Sequence, residues 1–400
     1  MYTTIVLNVD ELWLKGKNRP HYFSAMKKHL KFLFKNLHEA PVTIRNEQQR
    51  LVARSEVAFG EEIIDALKKV PGLSSFSPVV SVALDQEAIL PAVEKELKKM
   101  GLEKKTFKVQ SKRINKRFST PSMELNRFVA GHVLRNFEHF KVDVHKPDFY
   151  IDIKVMPNSI YISTQTIKCP GGLPVGTSGR LVTMISGGFD SPVASYMMSK
   201  RGASQDFIFF YAYPYVGEEV KEKILDMCKV LSCFQNGCRL YVVPFGEVQN
   251  HISKVCREEY RTLLFRKYMI DIANLLADRN GAQAILTGDA LGQVSSQTID
   301  NMSALDKSSD RLIMRPLVGF NKLEIIETAR KIGTHDISII PHDDACSLFA
   351  PKHPIIRPQL KYWDAFLAEN DVNELLTKAL DDAEVYKFNN VGEIKFHNVE

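Results

Sequence analysis

Apolar and polar positions follow two different rhythms along this chain. Up to Ser163 the rhythm is mixed. TIVLNV and RLVARS read as strands, and the stretch from Tyr22 to Phe34 reads as a helix. A further strand is expected from Val79 to Leu84, an amphipathic helix from Gln86 to Met100, and a second helix from Met123 to Asn136. Strands near Phe149 to Val155 and Ile160 to Ser163 follow. Strands and helices without strict alternation predict an α+β fold. Residues 169–179, CPGGLPVGTSG, are dense in Gly and Pro and read as a linker. Beyond it the rhythm changes. Short, nearly continuous apolar runs at 181–185, 206–210, 240–243 and 283–287 alternate with helical stretches. Such runs mark strands covered on both faces. Their alternation with helices predicts a doubly wound α/β domain, with its ligand at the carboxyl ends of the strands.

Composition adds limits. A chain of 400 residues has room for two or three domains. Its 44% apolar and 25% charged residues are ordinary for a soluble globular protein. No apolar run approaches membrane-spanning length, and MYTTIVLNVDELWLKGK lacks the order of a signal peptide. Six cysteines in a chain this long make no disulfide scaffold, so a reducing cytoplasm without membrane attachment is expected. The net charge of +6 says less than its placement. Lys104, Lys105, Lys108, Lys112, Arg113, Lys116 and Arg117 crowd one stretch that holds a single acid, Glu103. Lys15, Lys17 and Arg19 form a second group. Clustered cations are the footprint of phosphate-backbone binding, although a single run is more often a solvated face.

The strongest local signal is SGGFDSPVASYMMSKRG, residues 186–202. It follows the apolar run from Leu181 to Ile185. Pro192 suits the first position of a helix, Ser191 suits its cap, and Gly202 a stop. The reading is strand, tight loop, helix. Free N–H groups and the positive dipole end of a helix bind anions there. Gly187 and Gly188 let the backbone approach a phosphate, and Ser186 and Ser191 add hydroxyls. Asp190 would repel a bare phosphate, so a divalent cation, Mg²⁺, is expected between them. GGLPVGT (171–177) copies the glycine spacing of a Walker A loop, but Thr177 stands where the lysine belongs.

S-G-G-x-D-S resembles the pyrophosphate loop of enzymes that split ATP between its α- and β-phosphates. Further stretches narrow the resemblance: LKGKNRP, SMELNR (122–127), TGDALGQVSSQT (287–298), RPLVGFNKLEIIETARKIGT (315–334) and DDACSLFAPKHP (343–354). Together they resemble the tRNA 4-thiouridine synthetase family (ThiI), from about Leu12 to about Pro354 and in family order. The resemblance implies an N-terminal ferredoxin-like domain (1–75), a THUMP RNA-binding domain (76–168), the linker (169–179) and a pyrophosphate-loop domain with a C-terminal tail (180–400). It implies ATP contacts at Met184, Ile185, Ser186, Gly187, Gly188, Asp190, Ser191, Phe209, Phe210, Arg266, Gly288 and Gln297. The family usually has His-Phe where this chain has Phe209-Phe210. RNA contacts are expected at Lys15, Lys17, Arg19, Lys108, Lys112, Arg113, Lys116, Arg117 and Arg127. The implied partners are tRNA, presented at uridine 8, a cysteine desulfurase or other persulfide donor, and a second copy in a homodimer.

The chemistry requires a sulfur nucleophile. Uracil O4 leaves poorly until attack on the α-phosphate converts it to an AMP ester. A thiolate is the natural sulfur carrier. By resemblance Cys346 is the catalytic cysteine, with Ala345 replacing a second cysteine found in some members, and Asp190, expected to hold the metal, is the second catalytic residue. Some members carry a rhodanese domain; the residues after Pro354 are too few for one and contain no cysteine. Others hold an iron–sulfur cluster with C-x-x-C; that place reads Thr262-Leu263-Leu264-Phe265, so no cluster is expected. Cys346 is therefore the expected persulfide acceptor. Two alternatives stay open: a pyrophosphate-loop RNA-modifying enzyme with another nucleophile, and a catalytically inactive tRNA-binding protein.

Overall fold

The computed structural model describes residues 2–48, 50–341 and 351–398, and the side chains of all of these except 13, 14 and 396–398. Its chain forms two compact units: residues 1–14, 33–69 and 73–171, and residues 15–32, 70–72 and 172–400. In chain order the first elements are β1 (Tyr2–Val9), α1 (Arg19–Leu37), β2 (Thr43–Glu47), β3 (Arg50–Phe59), α2 (Glu61–Leu67), β4 (Leu73–Val82), α3 (Ile89–Lys98) and β5 (Lys105–Arg113). They are followed by α4 (Ser122–Asn136), β6 (Phe140–Val142), β7 (Phe149–Val155), β8 (Ile160–Ser163) and β9 (Ile167–Lys168).

The strands of the first unit run in the order β2-β3-β1-β4-β8-β7-β5-β6, with β9 also on β4. β4 carries this arrangement. Its residues Leu73 to Val79 pair with β1, and Val80 to Val82 pair with β8. One ten-residue strand thus serves both the ferredoxin-like and the THUMP halves, and the boundary expected at 75–76 falls inside it. Alternation along β5 sends Phe107 and Val109 into the core with Leu125, Val129 and Phe149. Lys108 and Lys112 therefore share the other face.

The second unit contains β10 (Arg180–Met184), α5 (Asp190–Lys200), β11 (Ser204–Tyr211), α6 (Glu218–Ser232), β12 (Cys238–Pro244), α7 (Gly246–Val255), α8 (Arg261–Asn280) and β13 (Ala284–Leu286). Then come α9 (Ile299–Lys307), β14 (Leu312–Met314), α10 (Lys322–Ile332), α11 (His335–Ser338), α12 (Leu360–Glu369), α13 (Asn373–Asp381), β15 (Glu384–Phe388) and β16 (Ile394–Asn398). The sheet order is β14-β13-β10-β11-β12-β15-β16. The first five strands are parallel, and β15 and β16 are added antiparallel. This is the doubly wound fold expected from the apolar runs. Strand β14 and the C-terminal hairpin were not read from the sequence. β14 is three residues long, and the hairpin has charged residues interrupting its apolar positions.

Local chemistry sets the helix ends. Asn321 and Glu324 form a reciprocal capping box at the start of α10, and Gly333 closes it at φ 81°. The stretch 172–178 is packed rather than free. The N–H groups of Gly176, Thr177 and Ser178 all donate to the Gly202 carbonyl, at 2.8, 3.0 and 3.1 Å. Those N–H groups are therefore spent, which agrees with reading GGLPVGT as no phosphate loop. Among the described residues no helix is long and apolar enough to cross a membrane.

His29, on the part of α1 that belongs to the second unit, is 1% exposed, and neither ring nitrogen meets a partner among the described residues. Burial lowers its pKa from 6.5 to about 4. The unfolded chain binds this proton more tightly than the folded one. The stability held by the neutral ring is thus complete above pH 6.5 and is lost as pH falls toward 4. Thermal melts should show wild type losing more stability than His29→Leu across that range, on the order of 3 kcal/mol at the acid end. Parallel pH profiles would refute this.

Candidate nucleotide and RNA sites

β10 has β11 on one side and β13 on the other, so the chain connections depart in opposite directions from it. A crevice opens at such a reversal, outside the carboxyl ends of the strands. Here it is a cleft of about 970 Å³. Ten of the twelve expected nucleotide contacts line it: Met184, Ile185, Ser186, Asp190, Ser191, Phe209, Phe210, Arg266, Gly288 and Gln297. Gly187 and Gly188 do not; they form the turn between Ser186 and Phe189. Met269, Thr287, Ser296 and Asp289 line it as well and were missed. All four stand beside an expected contact in sequence or one helical turn from it.

The loop winds into α5 earlier than expected. The helix starts at Asp190, Phe189 holds the cap position without a side-chain bond, and Pro192 is the third helical residue. Ser191 is therefore not the cap. Its Oγ instead accepts from the Ser186 N–H at 2.9 Å and lies 3.0 Å from the Ser186 hydroxyl. Asp190 in the first turn meets the positive dipole end. Gly288 crosses this helix start closely: a Cβ there would stand 2.5 Å from the Ser191 nitrogen.

Charge in the cleft is organised by Asp289, which is 4% exposed. It accepts from Arg266, from Arg315 Nε at 3.0 Å and from the Thr287 hydroxyl at 2.9 Å. Burial works against its charge, but Arg266, Thr287 and Arg315 outweigh it and hold the carboxyl below its ordinary value. Arg266 also donates to the Ser296 carbonyl at 3.2 Å. The Gln297 Oε1 is buried and meets no partner among the described residues, so it offers an acceptor to an occupant of the cleft. On the other wall Lys322 Nζ lies 2.8 and 3.0 Å from the two oxygens of Asp190 and 5.5 Å above the Phe189 ring. Lys322 stands inside one of the motifs that carried the resemblance, and its role was not read there.

Cys346 lies outside the described residues. Four of the other five cysteines offer no reactive thiolate by environment. Burial pushes the thiols of Cys169 and Cys256 up to about 12 and raises those of Cys228 and Cys238 as well. Cys233 donates to the Lys229 carbonyl. Among the described residues no group of three or more His, Cys, Asp or Glu side chains could hold a metal.

The expected RNA contacts divide between the two units. Lys15, Lys17 and Arg19 belong to the second, and Lys15 Nζ sits 5.2 Å above the Tyr22 ring. Lys108, Lys112, Arg113, Lys116, Arg117 and Arg127 belong to the first. Lys112, Lys116, Arg117 and Arg127 are exposed, and Lys108 donates to the Val144 carbonyl. Arg113 lies on the opposite face of β5 from Lys108 and Lys112, with its guanidinium on the Phe118 carbonyl. Lys112 lies opposite Lys154 on β7. Both, with Arg50, line a cavity of about 420 Å³. Its acid, Glu47, is already paired with Arg54 at 2.7 Å. Burial first, then Arg50 and Lys112 against an opposing Asp152, push the Lys154 ammonium below its ordinary value. Arg50 and Lys154 escaped the sequence reading because neither lies in a run of cations.

A doubly wound sheet with this loop at its switch point is a pyrophosphate-loop domain. The description "Thiamine biosynthesis protein (ThiI)" matches residues 176–368, "THUMP domain" matches 85–165 and "ThiI ferredoxin-like domain" matches 4–77. A probable tRNA sulfurtransferase of Brevibacillus brevis is 37% identical over 96% of this chain and 96% of its own length. One from Moorella thermoacetica is 39% identical over 96% of this chain and 97% of its own. The crystal structure of a 4-thiouridine synthetase–RNA complex with bound ATP superposes with a TM-score of 0.87 and 32% identity. It covers 97% of this chain and 100% of that one. The chain belongs to the tRNA sulfurtransferase (ThiI) family.

Two outcomes follow from the packing. Gly288→Ala should cost about 1–3 kcal/mol of stability, because the new methyl meets backbone that must move. Gly319→Ala, with open space around its Cβ position, should leave the thermal midpoint nearly unchanged. Asp289→Ala should cost about 3–5 kcal/mol in urea unfolding, since it leaves two arginines facing each other without their carboxylate.

Proposed function

We propose that this chain is an ATP-dependent tRNA sulfurtransferase that converts uridine 8 of tRNA to 4-thiouridine. The observation that carries this reading is the convergence of Ser186, Ser191, Arg266, Gly288 and Gln297, from separate motifs, on one cleft at the switch point. Residues 180–400 act on the nucleotide, while 1–75 and 76–168, the ferredoxin-like and THUMP domains, hold the RNA. The segment 169–179 connects them. The Lys112, Lys154 and Arg50 cluster, with its unneutralised positive charge, suits RNA phosphate.

ATP is a substrate. Its base lies against Phe209, Phe210 and Met269, and its phosphates meet the Ser186 and Ser191 hydroxyls and the N–H groups at the start of α5. Arg266, held by Asp289, keeps one cation in the cleft. Uracil O4 attacks the α-phosphorus, and the bond to the bridging oxygen breaks to release pyrophosphate. The loop stabilises the charge that develops there. A sulfur nucleophile then attacks C4 and AMP departs. Asp190, the one carboxylate at the loop, would hold Mg²⁺ through the phosphates once released by Lys322. When bound, that ion neutralises pyrophosphate charge. Cys346 accepts persulfide sulfur from a cysteine desulfurase or similar donor. Attack of its outer sulfur on C4 leaves a C4–S–S–Cys346 disulfide. An external thiol cleaves this by attacking the Cys346 sulfur, so that 4-thiouridine leaves, and a second thiol then frees Cys346. The acting form is a cytoplasmic homodimer.

The test is mass spectrometry of nucleosides after unmodified tRNA is incubated with the protein, ATP, Mg²⁺ and sulfide. ATP-dependent 4-thiouridine is expected, with a fall of at least about 100-fold in Asp190→Ala. No thiolation by a protein that binds both ATP and tRNA would overturn the reading. With a persulfide donor in place of sulfide, Cys346→Ser should abolish product. Full activity of that variant would remove Cys346 from the pathway.

A further inference from the structure

The chain from Lys322 to Ile340 touches three consecutive residues of the phosphate loop. Lys322 binds Asp190. The His335 ring packs 5.7 Å from that of Phe189. The Ser338 hydroxyl lies 3.2 Å from the Gly188 carbonyl oxygen. It also lies 2.9 Å from the Thr334 carbonyl, so one proton is shared between two acceptors. Ser338 is 7% exposed. Its own carbonyl and that of Ile340 accept from Lys223 Nζ, at 3.1 and 2.7 Å. Lys223 comes from α6 and is 4% exposed. A buried ammonium is tolerated only where its donors are met, and the carboxyl end of a helix favours a cation.

The phosphate loop needs its N–H groups aimed at the ligand, which turns neighbouring carbonyls inward. An inward carbonyl requires a donor. Ser338 supplies that donor to Gly188, and Lys223 fixes the backbone that carries Ser338. We propose that Ser338 and Lys223 are positioning residues of the phosphate loop. They touch no nucleotide, and act by holding the Gly188 carbonyl out of the cleft. The inference rests on the nucleotide reading of the cleft and extends it to α11 and α6. It assigns these two residues to the pyrophosphate half of the site and not to the adenosine half.

Calorimetric titration of the full chain with ATP, AMP and pyrophosphate, each with Mg²⁺, tests it. Ser338→Ala should weaken pyrophosphate and ATP by about 5-fold and leave AMP within about 2-fold. Ser338→Thr should restore both. Lys223→Met should show the same split. If it fails to fold, as judged by circular dichroism, the Ser338 pair decides alone. Equal weakening of AMP and pyrophosphate in Ser338→Ala, or no weakening of either, overturns the inference. Wild-type protein that binds none of the three would instead overturn the nucleotide reading beneath it.

Discussion

Two arginines cannot share a buried cleft without a counter-charge between them, and in this chain that charge is Asp289. Arg315 reaches it from the loop after β14 and Arg266 from α8, so one carboxylate ties the strand end after β13 to elements on two sides of it. Arg315 is also paired with Asp306 at 2.7 Å. Of the two arginines, Arg266 is the one that lines the cleft. Remove the carboxylate and the wall loses its shape; add another acid and the cleft loses its attraction for polyphosphate. Gly288, the residue before Asp289, completes the constraint by bringing this same strand end against the start of α5.

The first unit solves a different problem. A ferredoxin-like half and a THUMP half each have a sheet edge to cover. β4 pairs with β1 over one part of its length and with β8 over the other, so each half covers an edge of the other. The cavity lined by Lys112, Lys154 and Arg50 draws on β3, β5 and β7, which belong to both halves.

The doubly wound sheet was legible because buried parallel strands are written as apolar runs. The loop was legible because glycine spacing and a following helix leave few other readings. Lys322, Asp289 and Lys154 were less so. Each acts through a partner far off in sequence: Asp190 for Lys322, Arg315 and Arg266 for Asp289, Arg50 and Lys112 for Lys154. Period and spacing report local geometry, and such pairs exist only after the chain has closed. The early start of α5 shows the same limit at short range. Propensity favoured Ser191 as a cap, but the hydroxyl found a better use across the loop on Ser186.

The arm that ends in Ser338 continues toward the segment 342–350. Residues 355 and 356 are held by backbone and side-chain hydrogen bonds. The Ile355 N–H donates to the Glu259 carbonyl, Asn301 donates to the Ile355 carbonyl, and Thr298 donates to that of Ile356, each at 2.9 Å. Thr298 follows Gln297 of the cleft. A shift of the chain at Ile355 and Ile356 is therefore felt at Thr298 and Asn301, and through Thr298 at Gln297, the residue that offers the cleft a buried acceptor.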